Sequence, residues 1–146
     1  MFLGQYSHTI DEKGRLTIPA RYRELLQEGA YITQGFDRNL MVMTIDYFDR
    51  IYERVNSMSM TNPNARLLKR LIFANADRVE VDKTGRILLQ QFLRDSAHLD
   101  GTGIIVGVGD YFEIWSPDLW SPQISMLQDA EANDQRFAAL DLSTEL

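Results

Sequence analysis

The sequence predicts a mainly β protein in which one unit of about 50 residues occurs twice. The first observation is a motif, Asp-x-x-Gly-Arg followed by apolar residues, which begins at Asp11 and returns 71 residues later at Asp82. The second is the alternation of apolar and polar residues around both copies, which is typical of short strands. The third is a set of weaker matches downstream, in which Arg23-Glu24 corresponds to Arg94-Asp95 and Ile32 to Ile104.

The first copy is predicted to contain four strands and one short helix. Gly14 suits a tight turn between the first two strands, because such turns need a residue at positive φ. Gly29 stands just past the predicted helix, where a C-terminal cap is expected. The strands are predicted over 2–10, 15–18, 31–33 and 40–44, and the helix over 20–27.

The segment between the copies changes to a helical period. Apolar residues recur at helical spacing from Phe48 to Val55, with Thr44 or Asp46 as the N-cap. Residues 56–64 are polar and contain Pro63, so a break is predicted there. A second apolar stripe then predicts another helix; it consists of Leu67, Leu68, Leu71 and Ile72. Both helices are interpreted as connectors that cap the core.

The second copy repeats the order of the first and is followed by an acidic end. Strands are predicted from Val79, over 86–89, over 104–108 and over 111–115, with a short helix over 91–97. Beyond Pro117 the chain is acidic and only weakly periodic. A loose helix is possible around Met126 and Phe137, but mobility or order on binding a partner is expected instead.

The charge is distributed unevenly along the chain. The net charge is −6, yet residues 1–95 hold 14 Lys and Arg against 12 Asp and Glu, whereas residues 96–146 hold one Arg against nine acids. Such asymmetry suggests a basic working face with an acidic remainder, although a merely solubilising acidic end explains that segment equally well. No run of 18 apolar residues and no signal-peptide pattern occurs, and there is no cysteine, so a cytoplasmic protein without a membrane span is expected.

Enzymatic interpretations find little support. The two histidines, His8 and His98, have no metal-ligand spacing. The glycines of residues 101–109 do not form a dinucleotide fingerprint, because Val106 stands where the third glycine belongs. Asp11 and Glu12 border an exposed turn, which is a poor place to raise a carboxyl pKa. We therefore predict neither an enzyme nor a cofactor.

Two interpretations of the repeated hairpin stay open on the residues alone. Asp11 could accept hydrogen bonds from turn amides and pair with Arg15 only to stabilise a tight turn. Alternatively, two related hairpins on one body could present a repeated cationic face. Arginine suits phosphate groups and guanine edges, carboxylates can orient it, and a β-ribbon can enter the major groove of DNA.

The chain resembles the MraZ family, which is itself similar to the AbrB-type swapped-hairpin DNA-binding domains. The resemblance covers essentially residues 1–120. It is carried by Phe2-x-Gly4, Asp11-x-x-Gly14-Arg15-Leu16-x-Ile18-Pro19, Asp82-x-x-Gly85-Arg86-Ile87 and Glu113-Ile114-Trp115. One departure is that Gln90 replaces the proline that ends the first motif, which concerns the turn from strand to helix in the second copy.

The resemblance implies a fold of two tandem AbrB-like swapped-hairpin repeats. They would form an intrachain pseudo-two-fold, double-split β-barrel capped by helices. The expected division is a first repeat over 1–55, a helical connector over 56–77, a second repeat over 78–120 and a flexible acidic tail over 121–146.

The resemblance also implies a function. A DNA-binding transcriptional regulator is expected, repressing its own division and cell-wall operon from repeated promoter boxes, as a ring-like homo-oligomer on the nucleoid. By motif position, Arg15 and Arg86 would contact double-stranded DNA with support from Lys13 and Lys83. Asp11 and Asp82 would hold the arginines. The alternative is a ring-forming interaction protein that recruits protein partners without sequence-specific DNA binding.

Overall fold

The computed structural model describes residues 1–144, which contain eight strands and six helices. In chain order these are β1 (Gln5–Thr9), β2 (Arg15–Thr17), α1 (Ala20–Leu25), β3 (Ala30–Gln34), β4 (Leu40–Thr44), α2 (Ile45–Asn56), α3 (Pro63–Phe73), β5 (Asp77–Val79), β6 (Arg86–Leu88), α4 (Gln91–Ser96), β7 (Thr102–Gly107), β8 (Tyr111–Trp115), α5 (Pro117–Leu127) and α6 (Ala130–Phe137). The prediction of a mainly β chain with two related repeats and capping helices is confirmed.

Strands from the two repeats are interleaved. Six form an antiparallel sheet in the order β1-β7-β8-β4-β3-β5, and β2 and β6 pair separately as a two-stranded ribbon. The first strand of each repeat pairs with the other repeat, β1 with β7 and β5 with β3. In the ribbon, Leu16 lies opposite Ile87, its counterpart in the second repeat. The repeats therefore fold as one body and share their strand pairing.

The correspondence between β3 and β7 differs by one residue from the sequence alignment. His8 and Val79 are equivalent by the 71-residue offset of the repeats. Gly103 pairs with His8 and Ala30 pairs with Val79, so Ala30 is equivalent to Gly103. The burial patterns of Ala30–Gln34 and of residues 103–107 are then identical, and Ile32 corresponds to Ile105 instead of the expected Ile104. The reason is that side-chain direction alternates along a strand, so a one-residue shift would turn the apolar set away from the core.

The main core is built jointly by the repeats. Leu16 in β2 and Ile18 just after it are fully buried, as are Ile87 in β6 and Leu89 just after that strand. All four belong to one cluster that also contains residues from β3, β4, β7 and β8. The alternation of apolar residues thus predicted the inward face of both motifs correctly.

The connecting helices begin where polar caps place them. Thr44 caps α2, because its hydroxyl accepts a hydrogen bond of 3.1 Å from the Tyr47 N–H. Helix α3 begins at Pro63, with Asn62 as N-cap, so the predicted break through residue 64 is too long. Proline is tolerated at the first helical position because its missing N–H would be unpaired there anyway. Both helices pack on a second apolar cluster that includes Met41.

The turn into α4 is preserved although Gln90 replaces proline. Gln90 has φ −60° and ψ 150°, close to the −54° and 143° of Pro19. Residue 90 needs only an extended conformation before the helix, which glutamine also adopts. The departure from the family motif therefore leaves the local geometry unchanged.

The acidic end contains more helix than its periodicity predicted. Helix α5 is capped by the Ser116 hydroxyl and packs Trp120 against Trp115, with ring centroids 5.3 Å apart. Helix α6 has no buried residue. The predicted flexibility of the tail stays a prediction, and its last two positions, Glu145 and Leu146, lie outside the described residues. Within residues 1–144, no helix is long and apolar enough to cross a bilayer.

Candidate nucleic-acid interface

The first hairpin tip (tip 1, residues 11–15) is organised by the carboxylate of Asp11. Its Oδ1 accepts main-chain hydrogen bonds from Lys13 N at 3.0 Å and Arg15 N at 2.9 Å. Its Oδ2 accepts a hydrogen bond of 2.7 Å from Arg15 Nε. The main-chain N–H of Gly14 closes the turn onto the carbonyl of Asp11 at 2.9 Å. A five-residue motif thus produces both the turn and the orientation of its arginine.

The second tip (tip 2, residues 82–86) repeats this geometry. Asp82 Oδ1 accepts from Thr84 N at 3.0 Å and from Arg86 N at 2.9 Å, and its Oδ2 accepts from Arg86 Nε at 3.1 Å. The Thr84 hydroxyl adds a bond of 2.9 Å to Oδ1. The predicted pairing of each aspartate with the arginine four residues on is therefore present in both repeats.

The ribbon brings the two arginines together on its outer face. Leu16 and Ile87 point into the core, so Arg15 and Arg86 point outward. They are diagonal neighbours, because Arg15 lies opposite Leu88, two positions from Arg86. Arg86 Nη1 also reaches Asp11 Oδ2, at 3.4 Å. Asp11 therefore pairs with both arginines, whereas Asp82 pairs, within the described residues, with Arg86 and not with Arg15.

The hydrogen bonds keep both carboxylates ionised. The main-chain N–H of Arg86, with the Thr84 hydroxyl and N–H, lowers the pKa of Asp82 to about 2. The main-chain N–H of Arg15, then its guanidinium, lowers the pKa of Asp11. Two negative carboxylates thus hold two positive guanidiniums at neutral pH. Each guanidinium is bound through its Nε; Arg86 is also bound through Nη1, and the remaining Nη groups are kept for an external acceptor.

The predicted supporting lysines occupy non-equivalent positions. Lys13 corresponds to Thr84, and Lys83 corresponds to Glu12, so the tips differ in charge. Lys13 and Lys83 are both exposed at the ends of their tips. The face accordingly carries two oriented arginines near its centre and one lysine at each tip.

Two further arginines contact the tips and were missed by the sequence analysis. Arg23 on α1 lies against Gly85 of tip 2, and Arg94 on α4 lies against Gly14 of tip 1. Their match was visible as Arg23-Glu24 and Arg94-Asp95, but a repeated pair does not by itself reveal which hairpin it contacts.

This arrangement suits recognition of an anion or a base edge. An arginine whose Nε side is held by a carboxylate presents its remaining N–H groups as a fork, which matches a phosphate or the O6 and N7 atoms of guanine. Residues 1–144 contain no group of three or more His, Asp or Glu placed to hold a metal ion.

Comparison with known proteins agrees with the repeat structure. A family model described as "MraZ protein, putative antitoxin-like" matches residues 1–71 and again 72–142. Over 141 residues the chain is 45% identical to a protein of Thermomicrobium roseum named transcriptional regulator MraZ, covering 96% of this chain and 99% of that one. Proteins of the same name from Roseiflexus castenholzii and Carboxydothermus hydrogenoformans are 44% identical over 138 residues and 48% over 121. The alignment with the Roseiflexus protein covers 94% of this chain and 94% of that one. The alignment with the Carboxydothermus protein covers 83% of this chain and 85% of that one.

Proposed function

Because the chain belongs to the MraZ family, we propose that it is a sequence-specific DNA-binding transcriptional regulator whose two hairpin tips contact DNA. The relatives named as transcriptional regulators support the general function. The observation that supports the tips as the contact surface is the pair Arg15 and Arg86, held side by side on one outer face by Asp11. Carboxylate-held arginines on a β-ribbon have the chemistry required to read a major groove.

The geometry of the two tips supports the following roles. Arg15 and Arg86 read base edges or bind phosphates, while Lys13 and Lys83 neutralise phosphates beside them. Asp11 and Asp82 orient the arginines and offset their charge in the free protein.

The target is the promoter of the protein's own division and cell-wall operon, with repression as the outcome and the nucleoid as the location.

The proposal includes self-association as a ring that engages several promoter boxes at once. One chain offers few cations, and each phosphate neutralised contributes a salt slope of only about 0.9. Several chains held together can raise affinity by roughly 10²–10⁴. Large apolar side chains on or beside α2 and α3 support self-association, because they are exposed on the single chain; they are Tyr52, Met60 and Leu67.

The test is a DNA titration with the region upstream of the protein's own gene. Wild type should shift this fragment and not a scrambled one. Arg15→Ala should abolish the shift and Arg86→Ala should weaken it, with melting temperature and oligomer mass nearly unchanged. Arg136→Ala is the matched control, because Arg136 is an exposed arginine on α6, which packs on α5 and belongs to neither the proposed DNA contact surface nor the proposed assembly surface. Normal binding by Arg15→Ala would contradict the proposed contact.

The multivalent part is tested separately with spaced boxes. Binding should collapse when the spacing between boxes changes by half a helical turn, because the tips would then face opposite sides of the duplex. Light scattering after gel filtration should show an assembly larger than one chain. If the assembly forms but no upstream fragment binds, the alternative of a ring-forming interaction protein is favoured.

A further inference from the structure

Each hairpin tip is packed against an arginine that belongs to the other repeat. A Cβ placed on Gly85 would lie 2.5 Å from Arg23 Cζ and 2.6 Å from Arg23 Nε. A Cβ on Gly14 would lie 2.8 Å from the same two atoms of Arg94. Guanidinium and glycine are therefore in direct contact in both pairs, with no room for a side chain between them.

The same arginines are held by the residue that follows the ribbon strand of their own repeat. Arg23 Nε donates to the carbonyl of Ile18 at 2.8 Å, and Arg94 Nε donates to the carbonyl of Leu89 at 2.9 Å. The main-chain N–H of Ile18 in turn donates to the carbonyl of Gly85 at 2.8 Å. Ile18 thus binds the tip glycine through its main-chain N–H and, through its carbonyl, holds the guanidinium that covers this glycine.

We propose that Arg23 and Arg94 are positioning residues that hold the DNA-contacting tip of the opposite repeat in its binding conformation. Arg23 of repeat 1 positions tip 2 with its Arg86 and Lys83, and Arg94 of repeat 2 positions tip 1 with its Arg15 and Lys13. The DNA-binding part of this inference rests on the proposed function above; the positioning part does not.

The geometry favours positioning over a second phosphate contact. Each guanidinium donates its Nε to a main-chain carbonyl of its own repeat while its atoms cover a glycine of the other. A lysine would keep the charge but lacks the planar group and the Nε donor. Arg→Lys therefore separates the two roles: it retains a cation and removes the contact that fixes the tip.

The decisive variant is Arg23→Lys in the full-length chain. It should lower affinity for the upstream DNA by about tenfold, within the range of coupling between residues that share partners. The slope of log affinity against log salt should stay that of wild type both in Arg23→Lys and in Arg23→Ala, because a positioning residue neutralises no phosphate. If Arg23→Lys binds as wild type, the contact of the guanidinium with Gly85 is not needed for binding. If Arg23→Ala reduces the slope by about 0.9, Arg23 neutralises a phosphate directly. Either result overturns the proposal.

A double-mutant cycle tests the crossing between repeats. Arg23→Lys should be strongly non-additive with Lys83→Ala, since Lys83 lies on the tip that Arg23 contacts, and additive with Lys13→Ala on the other tip. Arg94→Lys should show the reverse pattern. Equal coupling of either arginine to both lysines would indicate a general loss of structure and overturn the assignment.

Amide hydrogen exchange tests the positioning without DNA. Arg23→Lys should speed exchange at Gly85, whose N–H closes tip 2 onto Asp82, and leave Gly14 in tip 1 unchanged. Unchanged exchange at Gly85 would refute the positioning role. If exchange responds as expected while wild type binds no upstream DNA, the proposed function fails and the positioning role stands.

Discussion

Arg86 Nη1 lies 3.4 Å from Asp11 Oδ2, so the arginine of the second hairpin contacts the carboxylate of the first across 75 residues of sequence. No matching contact joins Arg15 to Asp82 in the described chain. The pseudo-two-fold arrangement is therefore unequal at its centre: Asp11 serves two guanidiniums and Asp82 serves one.

This inequality predicts different effects for two equivalent substitutions. Asp11→Asn should weaken DNA binding more than Asp82→Asn, because it removes the charge that orients both arginines. Each variant should be titrated with the same upstream fragment at one salt concentration, with circular dichroism melts to confirm folding. An equal or larger loss in Asp82→Asn would show that the contact across the repeats has no role in binding.

The packing of Arg23 on Gly85 predicts an unusually sensitive glycine. Gly85→Ala should destabilise the fold more than Gly101→Ala, although both residues have positive φ, +83° and +72°. Both substitutions incur the left-handed backbone cost of about 1–2 kcal/mol. Only the first places a methyl group against a guanidinium, whereas nothing lies within 4 Å of the position at Gly101. Urea unfolding of the two variants measures the difference, which reports the cost of moving the guanidinium off its bond to the Ile18 carbonyl. Equal midpoints would show that Arg23 moves aside at no cost and that its packing on Gly85 does not stabilise tip 2.

The two C-terminal helices should differ in their contribution to stability. Deleting residues 129–146 should leave the free energy of unfolding nearly unchanged, because α6 has no buried residue. Deleting residues 117–146 should lower it, because Trp120 then no longer covers Val106 and Trp115. The shorter deletion should also leave DNA affinity equal or higher, since it removes like charge that repels DNA. A large loss of stability in the shorter deletion would show that α6 packs on the fold or on a neighbouring chain.

Acid should remove the stabilisation that the tip carboxylates supply. The folded-state pKa of Asp82, about 2, lies below its ordinary value of 3.8. A lowered folded pKa contributes stability that is fully present above the unfolded pKa and is lost as the pH falls through the folded pKa. The window for Asp82 is therefore pH 3.8 down to about 2. Asp82→Asn should show a weaker pH dependence of unfolding in this window than wild type or the exposed-site control Asp134→Asn; identical slopes would contradict the assignment.

Local sequence was sufficient for the parts of the site that close within a few residues. The Asp-x-x-Gly-Arg motif predicts its turn and its ion pair because donor, acceptor and turn glycine all lie within five positions. Alternation likewise predicts that Leu16 and Ile87 are buried, since strand side chains point to opposite faces in turn. The two tips, their arginines and their lysines are all identifiable from these local patterns alone.

Tertiary structure decided everything that joins the repeats. The contacts of Asp11 with Arg86 and of Arg23 with Gly85 depend on which strands pair. Local sequence patterns do not predict the order of strands in a sheet. The one-residue shift of β7 has the same origin, because burial against distant strands decides which of two registers the strand adopts. The helix that carries Trp120 likewise depends on burial against Trp115, because a short helix is only marginally stable without packing. Short-range hydrogen bonding is encoded residue by residue, whereas this fold and the shared centre of its site arise only when the whole chain buries its apolar surface at once.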